Sequence, residues 1–347
     1  MEPVTGGLPS SAAPSQAGRR SQATIYDVAR HAGVSPSTVS RALNKPGRIN
    51  IDTERRVRAV AAELGYRLNP MARALPTGRT GMLGLILSDI TNPVWFELVR
   101  GAERITASAG YTLVLAESQE SPELEAQIAD RVLPSVDGLV LVASRLPDRL
   151  IRELATQKAL VVVNRAVADV PGIVPDIGPG VRAALDHLSA LGHRRVAFLA
   201  GPATSWMSTL RWTTLLDEAQ LRGMSIVEIG PGRPTLEGGR EQLQCVRTAG
   251  VTAVVAYNDL MAIGLLHACR EAVVAVPADL SIVGFDDIFG SDFTTPPITT
   301  IRTPLGLVGE EAVHRLVSDG DRGDARAFRA LSTEFVERGS TAPPARS

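Results

Sequence analysis

Residues 24–43 read TIYDVARHAGVSPSTVSRAL, and few local folds satisfy them. Thr24 with Asp27 three residues on is a capping-box start for a helix. Ile25, Val28 and Ala29 then fall on one face. Gly33 ends the helix, as a residue free to take positive φ does. Ser35 caps a second helix, and Pro36 takes its first position, where a missing N–H costs nothing. Val39 and Leu43, four apart, give that helix an inward stripe. Ser37, Thr38 and Arg41 are left facing out. A short helix, a tight turn and a second helix with outward polar side chains make a helix-turn-helix, which lays its second helix in the major groove of DNA.

A third helix is expected next. Asn50 or Asp52 caps it, and Val57, Val60, Ala61 and Leu64 recur at helical spacing to close a small core. Residues 1–22 read as a disordered tail, 23–68 as the DNA-binding head, and 69–80 as a linker holding a short hinge helix. There Pro70 suits a start and Pro76 forces a stop at Leu75. The charge supports the division. The whole chain is balanced at -1, yet residues 19–79 carry twelve basic and four acidic side chains. The remainder carries twenty-four and thirty-three. A basic head on an acidic body touches phosphate with one end only.

After Gly81 the texture changes. MLGLILSDI, YTLVLAES, GLVLVAS, ALVVVNR, RVAFLAG, AVVAYND and SIVGFDD are short apolar runs. Stretches of helical length separate them, at 94–109, 122–133, 147–157, 179–191, 208–222, 236–248 and 259–271. Alternating strands and helices imply parallel sheets covered on both faces, with ligands at the carboxyl ends of the strands. No GxGxxG or GxxxxGK[ST] follows a strand, and GPGRPTLEGG at 230–239 lacks the Lys-Ser/Thr pair of a phosphate loop. With no nucleophile elbow and five histidines without evident partners, an enzyme is not expected. Two cysteines without metal spacing predict neither a disulfide framework nor a zinc site, so no cofactor or metal is expected. No signal peptide or membrane-length apolar run is present, so a cytoplasmic protein without membrane contact is expected.

The order of parts resembles the LacI/GalR (lac repressor) family of ligand-controlled transcription regulators. Its carrying motifs are TIYDVARHAGVSPSTVSRALN, LGYRLNPMARAL, LGLILSDITNPVWFELVRG, LGHRRVAFLAGP, AYNDLMAIG and VGFDD…TTPPITTIR, spread over residues 22–340. The resemblance implies a three-helix head, a hinge helix and an α/β core of two subdomains like the periplasmic sugar-binding proteins. The core is expected over 81–340: one subdomain from 81–178 plus 303–328, the other from 179–299 plus 331–337, with a disordered tail at 341–347.

The same resemblance implies the partners: a double-stranded, palindromic operator bound by a homodimer, more often as a repressor, and a small sugar-like effector. Nucleosides and purines use the same pocket in some relatives. On the head, Pro36 and Ser37 stand where sequence preference is set. Arg41 is the candidate for bidentate guanine contact, and Thr38 and Ser40 for phosphate. Thr24 and Asn44 complete the expected contacts of the head. In the hinge, Leu75 stands where a leucine wedges between base pairs, with Ala72 near the groove floor and Asn69 and Arg73 as phosphate or base-edge contacts. Leu68 departs from the proline common in the family. In the core, Ser88, Asp89, Trp95 or Phe96, Asn164, Asp176, Trp206, Arg211, Asn258 and Asp286 map to effector contacts. Asp259 is expected to cap the following helix, leaving Asn258 for the ligand.

Overall fold

A computed structural model describes residues 23–44, 47–66, 79–318 and 331–345, and it contains two compact units that divide at Gly78. The first carries α1 (Ile25–Ala32), α2 (Pro36–Asn44) and α3 (Ile51–Glu63). The capping box forms as read: Thr24 accepts from the Asp27 amide, and the Asp27 carboxylate accepts from the Thr24 N–H at 2.9 Å. Gly33 is left-handed at φ 63, and Val34 N–H returns to Ala29 O. Asn50 is the cap of α3, its Oδ1 accepting from Asp52 and Thr53. Val28, Ala29, Val39, Ala42, Val57 and Ala61 are buried together, with Leu43, Val60 and Leu64 packed at their edge. So few apolar side chains leave the head near the lower size limit for a stable fold.

The second unit is built on two parallel sheets. In the first, strands β1 (Met82–Leu87), β2 (Thr112–Glu117), β3 (Gly138–Val142), β4 (Ala159–Val163) and β5 (Gly172–Ile173) lie in the order β2-β1-β3-β4-β5. Helices α4 (Trp95–Ser108), α5 (Pro122–Val132) and α6 (Asp148–Gln157) connect them. Every residue of central β3 is buried, whereas those of edge strand β2 are exposed or half-buried throughout. That contrast is what a sheet covered on both faces requires.

The chain then passes to the second sheet through α7 (Gly178–Ala190). Its strands β6 (Arg195–Leu199), β7 (Ser225–Ile229), β8 (Ala253–Ala256) and β9 (Ser281–Val283) order as β7-β6-β8-β9. Helices α8 (Trp206–Leu221), α9 (Leu236–Glu241), α10 (Leu243–Ala249) and α11 (Asp259–Glu271) surround them. An antiparallel pair follows, β10 (Thr300–Arg302) with β11 (Glu334–Val336). Between them α12 (Leu305–Val317) returns to the first half and packs on α4. The approach is close: a Cβ on Gly309 would lie 2.0 Å from Leu98 O, and one on Gly101 2.0 Å from Gly306 O.

Four strands lay outside the apolar runs of the sequence. β5, β10 and β11 are two or three residues long, and β7 is an edge strand with Ser225, Val227 and Glu228 exposed. Neither kind needs a continuous apolar run. The segment expected as one helix over 236–248 is two, broken at Gln242. Its glycines serve packing: a Cβ on Gly239 would meet Met261 O at 2.1 Å, so α9 sits directly on α11.

Among the described residues one β-branched side chain stands at positive φ, where the backbone closes a helix end. Val273, just past α11, has φ 58 and is 91% exposed. A β-branched residue there costs about 1–2 kcal/mol relative to its ordinary conformations. Val273→Gly is therefore expected to stabilise the protein by about 1 kcal/mol in urea unfolding. An unchanged or lowered midpoint would contradict the strain.

Candidate functional site

Two surfaces carry the chemistry, one in each unit. On the head, Ser35 Oγ accepts from the Thr38 amide at 3.2 Å and lies 2.8 and 2.9 Å from the Ser37 and Thr38 hydroxyls. The cap therefore also orients the polar side chains that open α2. With Val39 and Ala42 buried, Ser37 and Arg41 lie exposed on one helical face, four residues apart. No ion pair among the described residues holds Arg41. Thr24 is engaged in the capping box, its hydroxyl 2.7 Å from Asp27 Oδ2. That bond leads in holding the Asp27 carboxyl below its usual pKa. The backbone of Asn44 closes α2, while Asn69, Ala72, Arg73 and Leu75 lie outside the described residues. The sequence reading passed over Tyr26, an aromatic 67% exposed on α1. Its signal was its place between Ile25 and Asp27, off the apolar stripe.

In the core, the carboxyl ends of both sheets converge on a buried cleft. From the first sheet come Ser88 after β1, Glu120 after β2, Ala143 and Arg145 after β3, and Asn164 after β4. From the second come Arg211 on α8, Tyr257 and Asn258 after β8, and Asp286 after β9. Trp95, at the start of α4, also lines it. Four of these are non-glycine residues with positive φ: Glu120 at 60, Ala143 at 51, Asn164 at 59 and Asp286 at 98. Such backbone costs of order 1 kcal/mol each and persists where surroundings over-determine it, commonly at binding sites.

Arg211 fills the centre. Its Nη2 donates to Asp286 Oδ1 at 2.7 Å and its Nη1 to the Tyr257 carbonyl. The guanidinium lies 3.8 Å from the Phe285 ring centre and 4.8 Å from that of Tyr257, a cation–π sandwich. Burial pushes the Asp286 carboxyl above its usual pKa, and Arg211 pulls against it. The remaining cavity is about 30 Å³, room for little more than ordered water. Within this packed space Trp95 Nε1, Asn164 Oδ1 and Arg211 Nε are buried without a hydrogen-bond partner. Two donors and one acceptor left unpaired at one place are costly, and a polar ligand satisfies them.

The residue pattern of the head matches the model of bacterial regulatory proteins of the lacI family over residues 24–69, and a periplasmic binding protein-like domain matches 185–341. The HTH-type transcriptional regulator DegA of Bacillus subtilis is 32% identical over 332 residues, covering 92% of this chain and 98% of its own. The chain belongs to the lacI family. Among solved structures, the lac repressor dimer bound to operator and the anti-inducer ONPF superposes with a TM-score of 0.83 at 27% identity, covering 92% of this chain and 99% of that one. The complex of transcriptional regulator CelR with cellobiose gives 0.66 at 26% identity, covering 92% and 99%. As a lacI-family member the chain is a ligand-responsive, DNA-binding transcription regulator and not an enzyme.

Against this family frame, Ser88, Trp95, Asn164, Arg211, Asn258 and Asp286 are brought together in the cleft, and the other four expected contacts are not among its lining. Asp89 closes a turn onto Thr91, accepting from its amide at 2.8 Å. Phe96 points to an outer cavity and is 47% exposed. Asp176 is exposed and accepts from the Gly178 amide at the start of α7. Trp206 packs against the apolar core of the second sheet. Glu120, Arg145 and Tyr257 went unread, although Arg145 and Tyr257 follow strand ends as the other lining residues do.

The roles expected for Asn258 and Asp259 are corrected. Asn258 is the cap of α11, accepting from Met261 N–H at 2.9 Å while its Nδ2 donates to Pro234 O. Asp259 is fully buried and ties the turn after β9, which carries Asp286, in place. It accepts from the Thr300 hydroxyl at 2.6 Å and the Ile288 amide at 2.8 Å, while its own amide donates to Phe285 O. Burial pushes its pKa up to about 8. A carboxyl raised in the folded state gives stability that is full below its unfolded value near 3.8 and lost as pH rises through about 8. Asp259→Asn is therefore expected to flatten the fall in stability between those pH values, read from urea midpoints. A parallel fall in both proteins would assign the pH dependence elsewhere.

Proposed function

We propose that the chain is a cytoplasmic repressor that binds a palindromic operator as a dimer and takes a small sugar-like effector between the two halves of its core. The observation that carries the effector reading is the cluster of three unpartnered buried polar atoms, Trp95 Nε1, Asn164 Oδ1 and Arg211 Nε. Vicinal hydroxyls both donate and accept, and the Trp95 and Tyr257 rings suit C–H faces. The CelR complex, with cellobiose, offers a related chain holding such a molecule. The halves are taken as 81–178 with 303–328 and 179–299 with 331–337.

Dimerisation is supported by exposed aromatics on the core. Phe289 and Phe293 are 71% and 69% exposed and meet edge to face at 5.0 Å, with Phe96 across an open cavity of about 550 Å³. Exposed apolar surface of this kind marks an interface. No helix of the described residues is long and apolar enough to cross a membrane.

For the DNA, Ser37 and Arg41 read base edges from α2, with Pro36, Thr38, Ser40, Thr24 and Asn44 beside them. The hinge contributes Asn69, Ala72, Arg73 and the Leu75 wedge. How the core holds two copies of the chain together sets how both engage the operator, which couples effector to operator.

Selection of bound fragments from a random duplex pool at fixed, near-physiological salt tests the whole reading. A palindromic consensus with a deformable centre is expected; sequence-blind binding would overturn it. Arg41→Ala should flatten preference at one base position per half-site and cost about 1–3 kcal/mol there. A loss uniform across sequences would make Arg41 a phosphate contact. Arg211→Ala should abolish the response of operator binding to a sugar mixture while leaving operator affinity nearly unchanged. An intact response would remove Arg211 from the effector site.

A further inference from the structure

The cleft holds a second ion pair beside Arg211 and Asp286. Arg145 follows β3, and its side chain is 3% exposed. Its Nε and Nη2 lie 2.7 and 2.6 Å from Glu120 Oε2. Behind it, the Arg145 amide donates to the buried Glu125 carboxyl at 2.8 Å, which fixes the backbone of the wall.

Glu120 makes this contact from strained backbone. It stands at φ 60, after Gln119 at φ 50, so two successive non-glycine residues are left-handed. An ion pair in water contributes too little to hold such a turn. Backbone bonds from Glu120 N–H to Ser88 O at 3.0 Å and from Ser121 N–H to Ser118 O at 2.9 Å close it. The turn so held brings Glu120, 28% exposed, to the buried Arg145 guanidinium as its counter-charge. The opposite wall repeats the construction, with buried Arg211 matched by Asp286 at φ 98. Each guanidinium of the cleft is thus already matched by one carboxylate, and these four side chains are together neutral.

We propose that Glu120 is an anion filter: by neutralising Arg145 it fits the cleft to an uncharged, hydroxyl-bearing effector and turns away phosphorylated or carboxylated forms of the same molecule. The proposal rests on the reading of the cleft as the effector site. An anion approaching Arg145 meets a carboxylate already on the guanidinium. With Arg145 buried and Glu120 28% exposed, that repulsion is stronger than between two groups in open water. A neutral ligand bonds to the free atoms nearby and leaves both ion pairs whole.

The test uses the full-length protein and inorganic phosphate as probe, read by thermal unfolding at constant ionic strength in chloride. Glu120→Gln removes the filter, and Glu120→Gly does so while suiting the left-handed backbone, should the first variant fold poorly. Either variant should show a saturable phosphate-dependent rise in Tm, with apparent affinity about tenfold or more above the unaltered chain, the weight of one charge-assisted hydrogen bond. Adding Arg145→Gln should abolish the gain. Phosphate held by the basic head is common to all of these proteins and cancels. A response in the unaltered chain equal to that of Glu120→Gln overturns the filter, as does no gain in either folded variant. Ribose and ribose 5-phosphate, run in parallel, separate the two readings. Gain of phosphate binding without any sugar binding sinks the sugar effector alone. Sugar binding without the gain sinks the filter alone.

Discussion

Parallel pairing sends every strand of a sheet toward the same edge, and the core depends on that constraint. Two such sheets present their carboxyl ends to one another, so side chains distant in sequence meet in one cleft. Ser88, Asn164 and Asp286 are brought together by this placement alone, and Arg211 reaches them from α8. The helices between strands cover the faces, which is why central β3 is buried throughout while edge strand β7 is not. The return of α12 to α4 through glycine contacts locks the chain's crossings between the halves.

The cleft concentrates both strain and charge. Left-handed residues end β2, β3, β4 and β9, and two of them are the carboxylates that match buried arginines. Behind Asp286, Asp287 receives Arg338 and Arg302 at 2.6 and 2.7 Å. Burial pushes the Asp287 carboxyl up, but those bonds hold it below its usual pKa. Asp259 secures the same turn from the other side. The turn is thus held at several points, while the three unpaired atoms leave the cavity itself unsatisfied. A polar ligand that pairs them gains bonds the empty cleft lacks, and a ligand-responsive regulator requires some such difference in free energy between its states.

Head and core were legible to different degrees. Capping residues, Gly33 and the apolar spacing act within a few residues of one another, so α1, α2 and α3 followed from the order of the sequence alone. The strands that are buried on both faces were equally plain. Short β5, β10 and β11 left no signal, because two or three residues carry no periodicity. In the cleft, the family resemblance pointed to Ser88, Asn164 and Asp286, which the structure places together, yet passed over Arg145. A basic residue after a strand looks like ordinary surface until its carboxylate partner is known, and Glu120 lies 25 residues away.

The sequence by itself determined the local helices of the head, the alternation that makes parallel sheets, and the split of charge between the two units. All of these are set by neighbours in the chain or by simple counts. Tertiary structure alone decided which polar groups meet: that Asn258 and not Asp259 caps α11, that Asp89 and Asp176 turn to local backbone, and that Arg145 is buried against Glu120. Arg145 meets Glu120, which stands on left-handed backbone, across 25 residues. Asp259 is taken by Thr300 and Ile288, 41 and 29 residues away, which leaves the cap to Asn258. Such packing leaves no period or spacing that a single sequence displays.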